Sequence, residues 1–232
     1  MIGRTTLHKT MLGLLVLALS AGCSSGGDTY TDGGGELVIL PLSRDATSNG
    51  FTFDTAELSF SSISLDPCVT NAALLRTRNF SIDLFHEPAP SIGFISSVTD
   101  FCGVTLETAP ETSSDLPDLV GASARFHGTN ADATAFTLTS TQDITLGFAT
   151  DKPLDAMNLA LGVDLDAWFK NVDLTNAETS DDGVLIDADH NPDLLAAFDQ
   201  ATSAAVALYV DVNADGKLTA EEVVPVATAT QE

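Results

Sequence analysis

The chain has 232 residues, of which 33 are acidic and nine basic, giving a formal net charge of −24. A surface so rich in carboxylates repels nucleic acid and anionic lipid, and it suits a protein working among divalent cations or salt that screen its self-repulsion. The charge supports cation binding without locating it.

Residues 1 to 22 open with Arg4 and Lys9, continue through an apolar run at 11 to 19, and end on Ser20, Ala21 and Gly22. This is the pattern of a secretory signal peptide. The apolar run is shorter than the roughly 20 residues a membrane-crossing helix needs, and no second long apolar stretch follows it. Because the small residues lead directly into Cys23, the segment resembles a bacterial lipoprotein signal with its lipobox. Ser20 stands where that pattern prefers Leu, and Leu19 comes one place early. The resemblance implies that Cys23 becomes the acylated first residue of the mature chain. Each buried acyl methylene adds about 0.8 kcal/mol, and more than one acyl chain makes the anchor stable. Ser24, in place of Asp, favours the outer membrane of a Gram-negative envelope. The alternative is an unanchored secreted protein cut near Ala21. Removing Arg4 and Lys9 from the nine basic residues leaves seven against 33 acidic ones.

Residues 23 to 35 combine Cys23 with a Gly/Ser-rich stretch whose composition predicts a flexible tether. The folded region is expected over 36 to 232. ELVILPL reads as a first strand, with Pro41 at an edge or a strand end. In AELSFSSISL the apolar alternation of Ala56, Leu58 and Phe60 slips before Ile63 and Leu65, which predicts a β-bulge at Ser61 and Ser62. NFSIDLF, CGVTLE, ASARFHG, TAFTLTS and ITLGF alternate in the same way. The predicted fold class is an all-β, antiparallel β-sandwich of Ig-like or transthyretin-like type.

Two short helices interrupt the rhythm. Leu165, Trp168, Phe169 and Val172 recur at helical spacing, while Asn191 and Pro192 read as the cap and first position of a second helix burying Leu194, Leu195 and Phe198. The polar stretch 107 to 118 is either a long loop between strands or an internal boundary, and the length favours one domain. Cys68 and Cys102 form an even pair once Cys23 is assigned to lipid. In an oxidising compartment they are expected to bond, the alternatives being free thiols or a metal pair.

Near the end stands DVNADGKLTAEE, residues 211 to 222. Asp211, Asn213 and Asp215 supply oxygens at places 1, 3 and 5, the Lys217 carbonyl at 7, Thr219 at 9 directly or through water, and Glu222 at 12. Gly216 occupies the sharp turn and Leu218 the apolar eighth place. This set resembles the EF-hand calcium loop. A paired hand has a helix on each side, but Val206, Leu208 and Val210 alternate as a strand ahead of the loop. Behind it, Thr219 and Glu222 form at most a capping box before Pro225. The expected cofactor is therefore a Ca²⁺ ion in a single, structural site clamping the C-terminal strand, with affinity of about 10⁻⁴ to 10⁻³ M. The competing reading is a turn in which Asn213 and Asp215 bond their own backbone. DADHNPD, residues 187 to 193, copies the first three ligand places but has Pro192 where Gly is needed and Phe198 where the last carboxylate belongs.

Enzyme signatures are missing. His86, His127 and His190 are isolated in sequence, and there is no phosphate-binding glycine loop or nucleophile elbow. Acid pairs such as Asp164 and Asp166 carry little information in so acidic a chain. The lipobox, the strand order around FSIDLF and the late acidic loop together resemble bacterial lipoproteins with a β-rich domain of unknown function. That resemblance implies a fold more than an activity. The expectation is a membrane-anchored, calcium-binding module of the bacterial cell envelope with a protein or glycan partner and no nucleic acid. An envelope glycan-acting hydrolase using surface carboxylates is the alternative.

Overall fold

Period-two alternation puts about half of the described residues into strands. The computed structural model describes residues 35–43, 45–46, 50–68, 74–95, 101–112, 116–154 and 158–231. The signal segment, Cys23 and all but the last residue of the tether lie outside the described residues. In order come β1 (Gly35–Pro41), β2 (Asp45–Ala46), β3 (Phe51–Pro67), β4 (Leu74–Asp83), β5 (Ser91–Ile95), β6 (Phe101–Thr108), β7 (Ala124–Thr129), β8 (Ala135–Ser140) and β9 (Thr145–Leu154). Then follow β10 (Leu159–Val163), α1 (Leu165–Trp168), β11 (Thr179–Ser180), β12 (Gly183–Ile186), α2 (Pro192–Ala205), β13 (Val206–Val210), β14 (Ala227–Thr228) and β15 (Thr230–Gln231).

The strands form two sheets. The smaller runs β14-β13-β10-β1-β5, and the larger runs β11-β12-β8-β7-β3-β6-β9-β15, with β2 and β4 also paired to β3. The fold is an all-β sandwich. Most pairings are antiparallel, but β1 with β10 and β8 with β12 are parallel, a distinction that side-chain alternation does not carry. The polar stretch 107 to 118 connects two strands of one sheet, since β6 and β7 both pair with β3.

Strand β3 organises the larger sheet. Its first part, from Thr52 to Leu58, pairs with β7, and its second, from Phe60 to Pro67, pairs with β6. Ser59 marks the exchange, donating its N–H to Ser123 O and accepting Ala109 N–H. The register shifts between Phe60 and Ser62 against both β4 and β6, so the expected bulge is present. It keeps Phe60 and Ile63 on the buried face despite the slipped alternation. The Cys68–Cys102 disulfide, whose partners stand 34 positions apart in sequence, then ties the end of β3 to β6.

Between the sheets lies an aromatic core. Phe126 and Phe169 pack edge to face at 5.2 Å, and Trp168 lies flat on Phe198 at 4.8 Å. The Trp168 indole N–H donates to Thr202 Oγ1 at 3.2 Å, which satisfies the one polar atom that burial would strand. Leu165, Trp168, Phe169 and Val172 are all buried, as their spacing predicts. The helix itself is a single turn capped by Asp164, whose carboxylate accepts Ala167 N–H.

The second helix is longer than its apolar signal, reaching Ala205, and Pro192 opens it. Asn191 stands at the cap position, where its carbonyl accepts the Leu194 and Leu195 N–H groups. Its backbone is left-handed at φ 53°, and its side chain makes no capping bond. The amide instead bridges Leu185 O, Glu178 O and Glu178 N–H. Leu195 and Phe198 are buried as expected, whereas Leu194 is only partly so.

The smaller sheet is apolar on both faces. Leu37 and Ile39 of β1 enter the main core, while Val38 and Leu40 pack outside with Ala160 and Tyr209. Pro41 sits at the end of a strand interior to the sheet. A Cβ on Gly162 would stand 2.5 Å from Tyr209 Cε2, so only glycine lets the tyrosine ring lie there.

Candidate metal centre

The loop 211 to 222 leaves the smaller sheet where β13 ends beside β10. Asp211 donates its N–H to Asn158 O at 2.9 Å. The Asn158 side chain accepts Glu36 N–H, also at 2.9 Å. One asparagine thus joins the start of the loop to the start of β1.

Asp211 is 3% exposed. Its Oδ2 accepts Gly216 N–H across the loop at 2.8 Å, which aims the carboxylate inward, and its Oδ1 is buried with no hydrogen-bond partner. Gly216 has φ +70°, a left-handed turn that explains the glycine, and Ala214 shares that region at φ +59°. Asn213 Oδ1 accepts Asp215 N–H, and Asp215 Oδ1 accepts Lys217 N–H. The backbone bonds expected of a simple turn are therefore present, inside the wider ligand pattern.

Glu222 closes the loop from the other side. Its Oε2 accepts Thr219 N–H and its Oε1 accepts Val212 N–H, both at 2.8 Å. The Thr219 hydroxyl, then the Thr219, Val212 and Asn213 N–H groups, hold its carboxyl below the usual range against the opposing effect of burial. Only a turn follows, at 220 to 222, so the helix that would complete a hand does not form. Leu218 packs on the outer cluster of Val38, Leu40, Ala160 and Tyr209, seating the loop on the sheet.

Asp211 and Glu222 are both buried, while Asp215 stands exposed on the turn. Among the described residues no three His, Cys, Asp or Glu side chains converge as a formed metal cluster. The loop carboxylates are instead engaged with its own N–H groups. The donor set is nonetheless all oxygen, suited to a hard cation, and the unpartnered Asp211 Oδ1 is the kind of buried acceptor that a cation satisfies.

Beyond the loop the chain crosses the sandwich. β14 pairs with β13 in the smaller sheet, and β15 pairs with β9 in the larger one. Val226 N–H to Leu208 O and Ala229 N–H to Val206 O bond the segment along its path.

The histidines do not gather: His127 Nδ1 is 3.2 Å from Asp54, His190 Nδ1 is 3.0 Å from Asp187, and His86 is exposed. In the 187 to 193 stretch, Asp187 accepts the Asp189 and His190 N–H groups, forming a loop before α2. Asp164 and Asp166 flank a helix start. Sequence reasoning missed Asn158, whose role depends on a neighbour across the sheet, and the seating of Leu218, which needed the position of Tyr209. No protein-family model, no curated protein and no solved structure matches the chain.

Proposed function

We propose that residues 211 to 222 bind calcium and that the protein is a lipid-anchored, calcium-stabilised β-sandwich serving as a structural or binding module of the bacterial cell envelope. The observation that carries this reading is Asp211 Oδ1, buried and unpartnered at the first ligand place of a loop whose other ligand places are also oxygens. An orphaned carboxylate oxygen is costly to bury, and a cation removes that cost. Asp211, Asn213 and Asp215 would supply side-chain oxygens, Lys217 its carbonyl, Thr219 its hydroxyl or a water, and Glu222 its carboxylate. Because β14 and β15 follow the loop, a bound ion would stabilise the segment that pairs with both sheets. The anchor at Cys23 rests on the signal pattern alone.

Thermal unfolding with calcium, with magnesium and with chelator tests the metal. Calcium should raise the midpoint, and Asp211→Asn or Glu222→Ala should abolish the rise. An equal midpoint in all three conditions would make the loop a turn.

A further inference from the structure

Besides Asp211 Oδ1, the buried side-chain oxygens without a hydrogen-bond partner among the described residues are Thr55 Oγ1, Glu57 Oε2 and Ser59 Oγ. They recur at alternate positions of β3, opposite to the core residues Ala56, Leu58 and Phe60, so all three lie on the outer face of the larger sheet. Such a face is ordinarily wet, yet Glu57 is 8% exposed and Ser59 1%. A single 3₁₀ turn at Pro117–Leu119 packs against β3 and β7, and its Leu119 is buried.

The register with β4 sets Glu57 directly opposite Asp83, and Ser59 directly opposite Ser81. Directly opposed residues of an antiparallel pair share a face, with Cβ atoms about 4.5 to 5.5 Å apart. Four oxygen-bearing side chains therefore form a square across two strands, with two carboxylates at one end and two hydroxyls at the other. On the other side of Glu57 stands its β7 partner Arg125, whose guanidinium is 3.2 Å from the largely exposed Asp118. His127, next on that face of β7, is 3.2 Å from Asp54.

Setting Glu57 and Asp83 against Arg125 leaves one negative charge at the square, because water screens Asp118. Burial raises the Glu57 carboxyl, Arg125 opposes this, and Asp83 and Asp118 reinforce it. Buried oxygens without partners beside an uncompensated carboxylate are costly, and a small cation satisfies both at once. No third His, Cys, Asp or Glu joins the group among the described residues.

We infer that a sodium ion binds on the outer face of the larger sheet, held by Glu57 Oε2 and Ser59 Oγ with Asp83 and Ser81 across the strand pair. One residual charge calls for a monovalent cation, and an all-oxygen set calls for a hard one. Among the described pairings β4 joins the sheet through β3 alone, so the ion fastens that strand to its one partner. The site is separate from the calcium loop and does not depend on it.

The test uses residues 24 to 232, since 31 to 232 form a single compact unit, and it is run in chelator so that the calcium loop takes no part. Thermal unfolding is followed at about pH 8, above the carboxylate range, in sodium chloride and in tetramethylammonium chloride of equal concentration, so that screening is matched. With sodium at tenfold its dissociation constant, the midpoint should stand about 3 to 6 °C above that in tetramethylammonium. Glu57→Gln and Ser59→Ala should lose that difference, while Asp118→Asn should keep it. Glu57→Gln should match or exceed the native midpoint in tetramethylammonium, which shows that the variant folds. Equal native midpoints in the two salts, as when a proton or water fills the site, overturn the inference. A sodium effect that Glu57→Gln and Ser59→Ala retain also overturns it, since the effect then belongs to the acidic surface as a whole. Either result leaves the calcium reading untouched.

Discussion

The side chain of Glu222 reaches back across ten residues to accept the N–H of Val212 at 2.8 Å. The same carboxylate accepts Thr219 N–H, so it holds the loop before any ion does. Glu222→Ala should lower the unfolding midpoint in chelator as well as remove the calcium effect. Glu222→Gln, which keeps one acceptor oxygen, should recover part of the metal-free midpoint and none of the calcium effect. A Glu222→Ala midpoint in chelator equal to that of the native chain would show that the bonds to Val212 and Thr219 contribute nothing to stability.

Leu218 seats the loop on Val38, Leu40, Ala160 and Tyr209. The site is partly buried, so Leu218→Ala should cost about 1 to 2 kcal/mol, below the range for a fully buried leucine. Chemical denaturation measures this directly. Hydrogen exchange at 212 to 222 should quicken in the variant while β3 keeps its protection. Uniform loss of protection would make Leu218 part of the general core.

Asp199 and Glu57 give the fold a pH dependence of defined sign. Burial raises the Asp199 carboxyl against a lowering bond from the Ser140 hydroxyl. Burial also raises Glu57, opposed by Arg125 and reinforced by Asp83 and Asp118. A raised acid binds its proton more tightly folded than unfolded. The stability it contributes is full below the unfolded value of about 4 and is lost as pH rises through the folded value. Asp199→Asn and Glu57→Gln should therefore raise the midpoint at neutral pH by a few degrees and flatten its decline above pH 4. A lower midpoint at neutral pH would mean that the charged forms stabilise the fold.

The Cys68–Cys102 bond closes a loop between positions 34 apart in sequence. In the chain-entropy model its removal costs about 3 to 4 kcal/mol. For a domain of this size that is about 10 °C in midpoint. Cys68→Ser with Cys102→Ser should show this drop, and a reducing agent should act on the native chain but not on the double variant.

Features written locally were legible before the fold was known. The bulge at Ser61 and Ser62, strand β13 and the buried stripe of Trp168 and Phe169 all follow from spacing within a few residues. The disulfide was expected once Cys23 was set aside for lipid, which leaves Cys68 and Cys102 as a pair. What stayed hidden depended on distant partners. The parallel pairing of β1 with β10 leaves no trace in alternation. Asn191 has a capping residue's identity but spends its amide on Leu185 and Glu178. The loop shows the same division: its ligand spacing was readable, whereas the engagement of its carboxylates with their own amides required the backbone turn at Gly216.

Strand β1 is apolar on both faces, and its partner β10 is about 120 residues downstream, Leu37 standing beside Leu159. Strand β5 lies far closer in sequence than β10, so one edge of β1 can be covered by a short-range pairing while the other waits for a long-range one. Until that second pairing forms, the folding chain carries an apolar strand with one open edge, the kind of edge through which chains associate with one another.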